Sequence, residues 1–255
     1  MYLYNGDTMI KSTFFQEYFR DYKGKELLKP RFYFDIYERY TSSYRGRNVH
    51  FLEIGVFKGG SLDMWHSFLG EQATIYGVDI DPAVKEFEKE GYTIYIGDQA
   101  DTTFLESIKQ SVPLLDIILD DGGHYPHQQI RSFISLFPHL KDTGIYIVED
   151  VHTSYYPQYY GGYGVYYTFQ NFALQLTHLI NLINIHYSNG CNSSKELTAN
   201  LINVFGLTAN QAQYLFENIY SIHFYDSIIV FEKVANCRNI KENLIQQQHI
   251  QARTS

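Results

Sequence analysis

Two short aliphatic and β-branched runs in this chain end in clustered acids, and those acids are the residues best suited to chemistry. The first run, LLDIILDDGGHY (Leu114 to Tyr125), delivers Asp120, Asp121 and, three residues on, His124. The second, GIYIVEDVHTSYY (Gly144 to Tyr156), delivers Glu149 and Asp150 side by side. Carboxylates crowded into one crevice repel one another unless protons or a cation intervene, and hard oxygen donors of this kind suit Mg²⁺ or a similar divalent ion. With an imidazole beside them, the pattern reads as a metal site with a base next to it. Taken alone, Asp120 and Asp121 read equally well as helix caps and His124 as a polar loop residue. The second acidic strand end tips the reading toward metal.

Such groups share a crevice when buried parallel strands deliver them to the carboxyl edge of an open α/β sheet, the edge where these sheets bind ligands. The rest of the chain supplies such a sheet. A helical pattern covers residues 8 to 45, and Phe51 to Ile54 is a buried strand running into a glycine-containing turn and a helix from Ser61 to Leu69. Gly55, Gly59 and Gly60 let the backbone pass close to a ligand, and the amides at the helix start can receive a carboxylate. The turn is not GxGxxG, because Val56 and Phe57 fill it. A second strand ends at Asp79, placed to accept from ribose hydroxyls, and Asp81-Pro82 begins a helix. A third strand, Tyr92 to Asp98, ends in Gly97-Asp98, where Asp98 is placed to meet an adenine amino group. A helix from Thr102 to Gln110, a strand from Leu114 to Leu119, a helix near Gln128 to Phe137 and a strand from Ile145 to Val148 follow. This βα alternation predicts a doubly wound parallel sheet.

Beyond it, TSYYPQYYGGYGVYYTF is too polar and turn-rich for a core element and reads as a loop, with a lid over the crevice and a satellite aromatic cluster as equal alternatives. A helix from Phe169 to Leu182 comes next, and Ser193 with Glu196 and Thr208 with Gln211 have the spacing of capping boxes. YSIHFYDSIIVFEK predicts an antiparallel hairpin parted by Tyr225-Asp226-Ser227. Residues 1–235 form one expected domain, with 1–47 as helical cover, 153–168 as the tyrosine- and glycine-rich segment and 236–255 as a polar tail.

Composition narrows the partners. The 255 residues carry a formal charge of −8 with no basic block, which argues against nucleic acid and anionic membrane. With 45% hydrophobic residues, a large core is available. The two cysteines, Cys191 and Cys237, lie in no metal or redox spacing, and the N-terminus lacks a signal-peptide core, so a cytoplasmic setting is expected. Of the 24 tyrosines, seven are bunched between Tyr155 and Tyr167.

The series LEIGV-x-x-GGS-x-x-M-W, YGVDIDP, a GD strand end, LDDGGH, IVEDVHTSY and SIHFYDSIIVFEK resembles the metal-dependent sugar O-methyltransferases of the macrocin and mycinamicin type, over roughly residues 30 to 233. A group of proteins linked to cephalosporin 7-methoxylation carries similar acidic strand ends. The resemblance implies a class I methyltransferase fold: a Rossmann-like, doubly wound seven-stranded sheet, mostly parallel, with an antiparallel C-terminal hairpin and an N-terminal helical cover. It implies S-adenosylmethionine and Mg²⁺ or another divalent cation as cofactors, with Asp121, Glu149 and Asp150 as metal ligands and His124 as base. The separation from His124 to Glu149 equals that of the family. Glu53 and Gly55 are implied near the amino acid moiety, Ser61 at its carboxylate, and Asp79 at the ribose. Gly97, Asp98 and Asp120 complete the implied cofactor set, with Asp98 at the adenine. The implied acceptor is a small-molecule glycoside or sugar, and a homo-oligomer is the expected assembly. The long N-terminal auxiliary domain of the macrolide enzymes is not expected here. The rival readings are a noncatalytic or oxygenase-partner protein on the same fold, and an NAD(P)-linked oxidoreductase disfavoured by the missing GxGxxG.

Overall fold

The computed structural model describes residues 13–182 and 191–238. Its centre is a seven-stranded sheet of β1 (His50–Ile54), β2 (Thr74–Asp79), β3 (Thr93–Ile96), β4 (Leu115–Asp120), β5 (Leu140–Val148), β6 (Ile219–Phe224) and β7 (Ile229–Lys233), in the order β3-β2-β1-β4-β5-β7-β6. The first five strands pair parallel, and β7 runs antiparallel between β5 and β6. This is a mostly parallel, Rossmann-like architecture, and the strand order reverses direction at β1, next to β4. Ligands bind at such switch points.

Alternation along the strands divides the core. Phe51, Ile75, Ile117 and Ile147 face one layer, and Leu52, Tyr76, Ile118 and Tyr146 face the other. On the first side lie α1 (Phe14–Asp21), α2 (Tyr33–Thr41) and α3 (Gly60–Leu69). There Phe15 stacks on Phe68 with centroids 4.3 Å apart, and Trp65 meets Tyr37 at 5.0 Å. On the second side, α4 (Thr102–Ser111), α5 (Pro126–Leu136), α6 (Phe169–Ile180), α7 (Cys191–Asn203) and α8 (Ala209–Asn218) bury Phe133, Phe169, Phe172 and Leu215. No helix among the described residues is long and apolar enough to cross a membrane.

The structure redraws several boundaries. The expected N-terminal helical cover is two helices, α1 and α2, parted by an irregular segment that contains Gly24 and Pro30. Residues 8–12 of that pattern lie outside the described set. After β2 the chain winds as a 3₁₀ helix, Pro82–Glu90, with Asp81 Oδ1 capping the Ala83 amide at 2.9 Å. The fifth strand starts at Leu140, five residues earlier than its apolar run, and carries Thr143 in left-handed conformation at φ 69°. Thr208 and Gln211 form the predicted capping box on α8, whereas α7 already runs through Ser193. The predicted hairpin is β6 and β7, with Ser227 turning at φ 63°.

Candidate active site

The register of the sheet brings the acidic strand ends together. Ile54 on β1 pairs with Asp120 on β4, and Asp120 pairs with Val148 on β5. One residue further on, the Asp121 amide donates to the Ile54 carbonyl at 2.9 Å and the Glu149 amide to the Asp120 carbonyl at 2.9 Å. Gly55 is the pivot of this approach. Its φ is +92°, and a Cβ placed there would stand 2.0 Å from the Asp121 carbonyl oxygen. Only glycine fits.

A cavity of about 490 Å³ opens along this edge, within the size range of cofactor sites. Its wall includes Gly55, Ser61, Asp79, Gly97 and Asp98 together with Asp121, His124 and Asp150. The N-terminal segment Glu26 to Lys29 closes one side.

At the glycine turn, Asp79 accepts from the amides of Val56 at 2.9 Å and Phe57 at 3.0 Å through Oδ2, and from Asp81 at 2.9 Å through Oδ1. It fixes the loop that a ligand would lie against. Glu53 is wholly buried and accepts from the Ser61 hydroxyl, while its Oε2 has no partner. Burial pushes the Glu53 carboxyl up to about 7, against the opposing pull of Lys29. Asp98 is exposed and accepts from the Ala100 amide at 2.7 Å.

Asp120 points into the opposite layer. It is fully buried and accepts from the Gln99 amide at 3.0 Å and from the Ser132 hydroxyl, with burial raising its carboxyl above the usual range. Gln99 in turn accepts from the Gly123 amide at 2.8 Å, so this chain of bonds shapes the loop that leads to His124.

His124 sits in left-handed backbone at φ 61°, and Asp150 at φ 52°. Both are non-glycine residues in a sparsely populated region, a strain that concentrates at functional sites. His124 Nε2 lies 3.6 Å from Asp150 Oδ2 and 4.0 Å from Asp121 Oδ1, and its buried Nδ1 has no partner. Asp121, His124 and Asp150 each bring one ligand atom within 4.8 Å of the others. Two carboxylates and an imidazole converging this closely, with an orphaned ring nitrogen, are a donor set that fits a divalent cation.

Glu149 is turned elsewhere. Its Oε2 accepts from the Lys29 ammonium at 2.8 Å and its Oε1 from the Tyr37 hydroxyl, and burial raises its carboxyl despite Lys29. Lys29 also donates to Asp121 Oδ2 at 2.6 Å. Burial would lower the lysine, but Asp121 and Glu149 outweigh it and hold the amine well above its usual range. Tyr33 donates to Asp150 Oδ1 at 2.5 Å. The sequence reading missed Lys29, Tyr33, Tyr37 and Gln99. Tyr33 and Tyr37 are four apart on α2 and so share a face, which is a legible signal. Lys29 carries none, because it arrives from an irregular segment 92 residues before Asp121.

The tyrosine segment packs beside this cluster. Tyr159 approaches His124 at 6.2 Å and Tyr125 at 5.4 Å between centroids, and Tyr160 approaches Tyr125 at 5.4 Å. Tyr155, Tyr156, Tyr160, Tyr163, Tyr166 and Tyr167 remain exposed.

Residues 52–151, which include the glycine turn after β1 and the acidic ends of β4 and β5, match a family model described as a methyltransferase domain. The mycinamicin VI 2''-O-methyltransferase of Micromonospora griseorubida is 40% identical to the chain over 132 residues, covering 49% of this chain and 33% of that protein. The demethylmacrocin O-methyltransferase of Streptomyces fradiae is 36% identical over 132 residues, with the same 49% and 33% coverage. The chain thus spans about a third of the length of these curated relatives. The structure of MycE methyltransferase from the mycinamycin biosynthetic pathway, in complex with Mg and SAH, superposes with a TM-score of 0.66 at 28% identity, over 84% of this chain and 52% of that one. The predicted likeness to macrocin- and mycinamicin-type sugar O-methyltransferases therefore holds in sequence over about half of the chain and in fold over most of it.

Proposed function

We propose that this chain is an S-adenosylmethionine-dependent, divalent-metal-dependent O-methyltransferase that methylates a hydroxyl of a sugar in a glycosylated small molecule. One observation carries the reading: a single cavity runs from the glycine turn of β1 to the Asp121, His124 and Asp150 cluster. A methyl donor and an acceptor hydroxyl would then meet within one enclosure. The relatives named above act on glycosylated natural products, and the structural relative holds Mg and SAH.

An alcohol is a weak nucleophile at neutral pH, so the transfer needs a base, a Lewis acid or both. S-adenosylmethionine supplies an activated methyl group, and a bound divalent cation supplies acidification and orientation of the acceptor hydroxyl. Asp121 and Asp150 would hold that cation, with Glu149 the further carboxylate at the same edge. His124 takes the hydroxyl proton on Nε2, the ring nitrogen turned toward Asp121 and Asp150. Gly55 and Ser61, with Glu53 buried behind the Ser61 hydroxyl, would hold the amino acid part of the donor, while Asp79, Gly97 and Asp98 would hold its nucleoside. Asp120 acts at one remove by shaping the Gly122-Gly123 loop through Gln99.

The test is incubation of the protein with S-adenosylmethionine, Mg²⁺ and a panel of glycosides, followed by mass spectrometry. S-adenosylhomocysteine should form together with an O-methylated glycoside, and excess chelator should stop both. Turnover undiminished by chelator would remove the metal from the reading, and donor binding without turnover on any glycoside would favour a noncatalytic role.

A further inference from the structure

Two of the three acids expected to share a cation are already engaged by a cation from the same chain. The Lys29 ammonium contacts Asp121 Oδ2 at 2.6 Å and Glu149 Oε2 at 2.8 Å, and its side chain is 3% exposed. The segment that carries it is fastened on both sides. Lys25 reaches Asp63 at 2.7 Å, and the Tyr22 hydroxyl donates to the same carboxylate at 2.5 Å while accepting from the Lys25 amide at 2.9 Å. Further along, the Glu26 carbonyl oxygen lies so close to Gly60 that a Cβ there would stand 2.3 Å away. Pro30 follows Lys29, and Tyr33 and Tyr37 on α2 bond to Asp150 and Glu149. The segment is a built wall of the cavity.

We propose that Lys29 is a specificity-determining residue of the cation site: its ammonium engages Glu149 and one oxygen of Asp121, so the divalent ion is left with the carboxylate oxygens of Asp121 Oδ1 and Asp150, beside the His124 base. This rests on the metal reading above and deepens it. Two consequences follow from charge alone. A fixed positive charge beside the site weakens binding of a second cation, and a carboxylate already paired contributes little as a ligand. Removing the ammonium frees Glu149 Oε2 and Asp121 Oδ2 and strengthens the site.

The experiment is titration of the full chain with Mn²⁺, without methyl donor or acceptor, following free Mn²⁺ by electron paramagnetic resonance. Lys29→Met and Lys29→Gln should bind Mn²⁺ at least about tenfold more tightly than the wild type, and Lys29→Arg should stay close to it. Glu149→Gln in the wild-type background should change the dissociation constant by less than about threefold, yet in the Lys29→Met background it should abolish most of the gain, a coupling characteristic of directly interacting groups. Equal or weaker binding by Lys29→Met and Lys29→Gln overturns the proposal. So does a loss of about tenfold or more in Glu149→Gln alone, and that single variant decides the matter if the lysine variants do not fold. Failure of the wild type and of every variant to bind Mn²⁺ defeats the metal reading itself, whereas wild-type binding with an unmoved Lys29→Met defeats only the inference about Lys29.

Discussion

At the scale of single residues, the site separates groups that would touch reactants from groups that hold them. His124 belongs to the first kind, since its Nε2 faces Asp150 and Asp121 and its ring lines the cavity. His124→Ala should lower turnover by roughly 10² to 10⁴, the usual range for a positioned base, while Mn²⁺ and donor affinities stay within about threefold. A parallel collapse of Mn²⁺ affinity in the same variant would make His124 a ligand instead. Asp120 belongs to the second kind. Asp120→Asn leaves the cavity wall chemically unchanged but weakens the hold on Gln99 and Ser132, and through Gln99 on Gly123. We expect a stability loss of about 1 to 3 kcal/mol by denaturant melt, as for a disturbed buried hydrogen-bond network, with the donor's dissociation constant raised more than the acceptor's KM. An acceptor KM that rises as much would place Asp120 in direct service of the acceptor.

At the scale of elements, the turn after β1 and the tyrosine segment after β5 are the two pieces whose backbone shapes the cavity. Gly55→Ala must accommodate a Cβ 2.0 Å from the Asp121 carbonyl at a φ of +92°. It should cost about 1 to 3 kcal/mol from backbone strain alone and displace Asp121, so Mn²⁺ affinity should fall along with stability. Replacing 158 to 164 by a short linker removes Tyr159 and Tyr160 from against His124 and Tyr125. Acceptor KM should rise far more than that of the methyl donor if these rings cover the acceptor, and a fall in melting temperature with both constants unmoved would leave them a packing role. These elements also mark what was legible in the sequence. Strands β1 to β5 announced themselves because buried parallel strands are continuous apolar runs, and the Thr208 box stated its own helix start. The acids at the strand ends were legible because a strand must stop where its polar groups begin. Lys29 was not, since nothing local distinguishes a lysine that pairs across the fold from one that faces water. The aim of Asp120 was equally hidden: one residue along a strand reverses its face, and only the register with β1 and β5 shows that Asp121, rather than Asp120, meets the cavity.

At the scale of the whole molecule, the site stores unfavourable charge that should show in how stability depends on pH. Glu53 lies beneath the glycine turn with one oxygen unpartnered, and burial raises its carboxyl from an ordinary 4.5 to about 7. A group whose folded value exceeds its unfolded value binds its proton more tightly in the native state. Its stabilising contribution is therefore complete below about 4.5 and is lost as pH rises through about 7. The shift corresponds to at most about 3 kcal/mol. Glu149 and Asp120, both raised by burial, act in the same direction. The protein without ligands should thus lose stability between pH 5 and pH 8, where many proteins are at a plateau. Glu53→Gln, neutral at every pH, should flatten that slope while keeping a partner for Ser61, and denaturant melts across the range measure it. A slope as steep in Glu53→Gln as in the wild type would mean that Glu53 ionises at an ordinary value, its buried charge fully supported by Lys29 and Ser61. The same experiment repeated with S-adenosylmethionine tests where the donor lies. A donor whose positively charged amino group reaches Glu53 stabilises the ionised carboxylate, so the slope in the wild type should shrink toward that of Glu53→Gln when the donor is bound. An undiminished slope in its presence would separate Glu53 from the donor's amino group and leave it a structural acid beneath the turn.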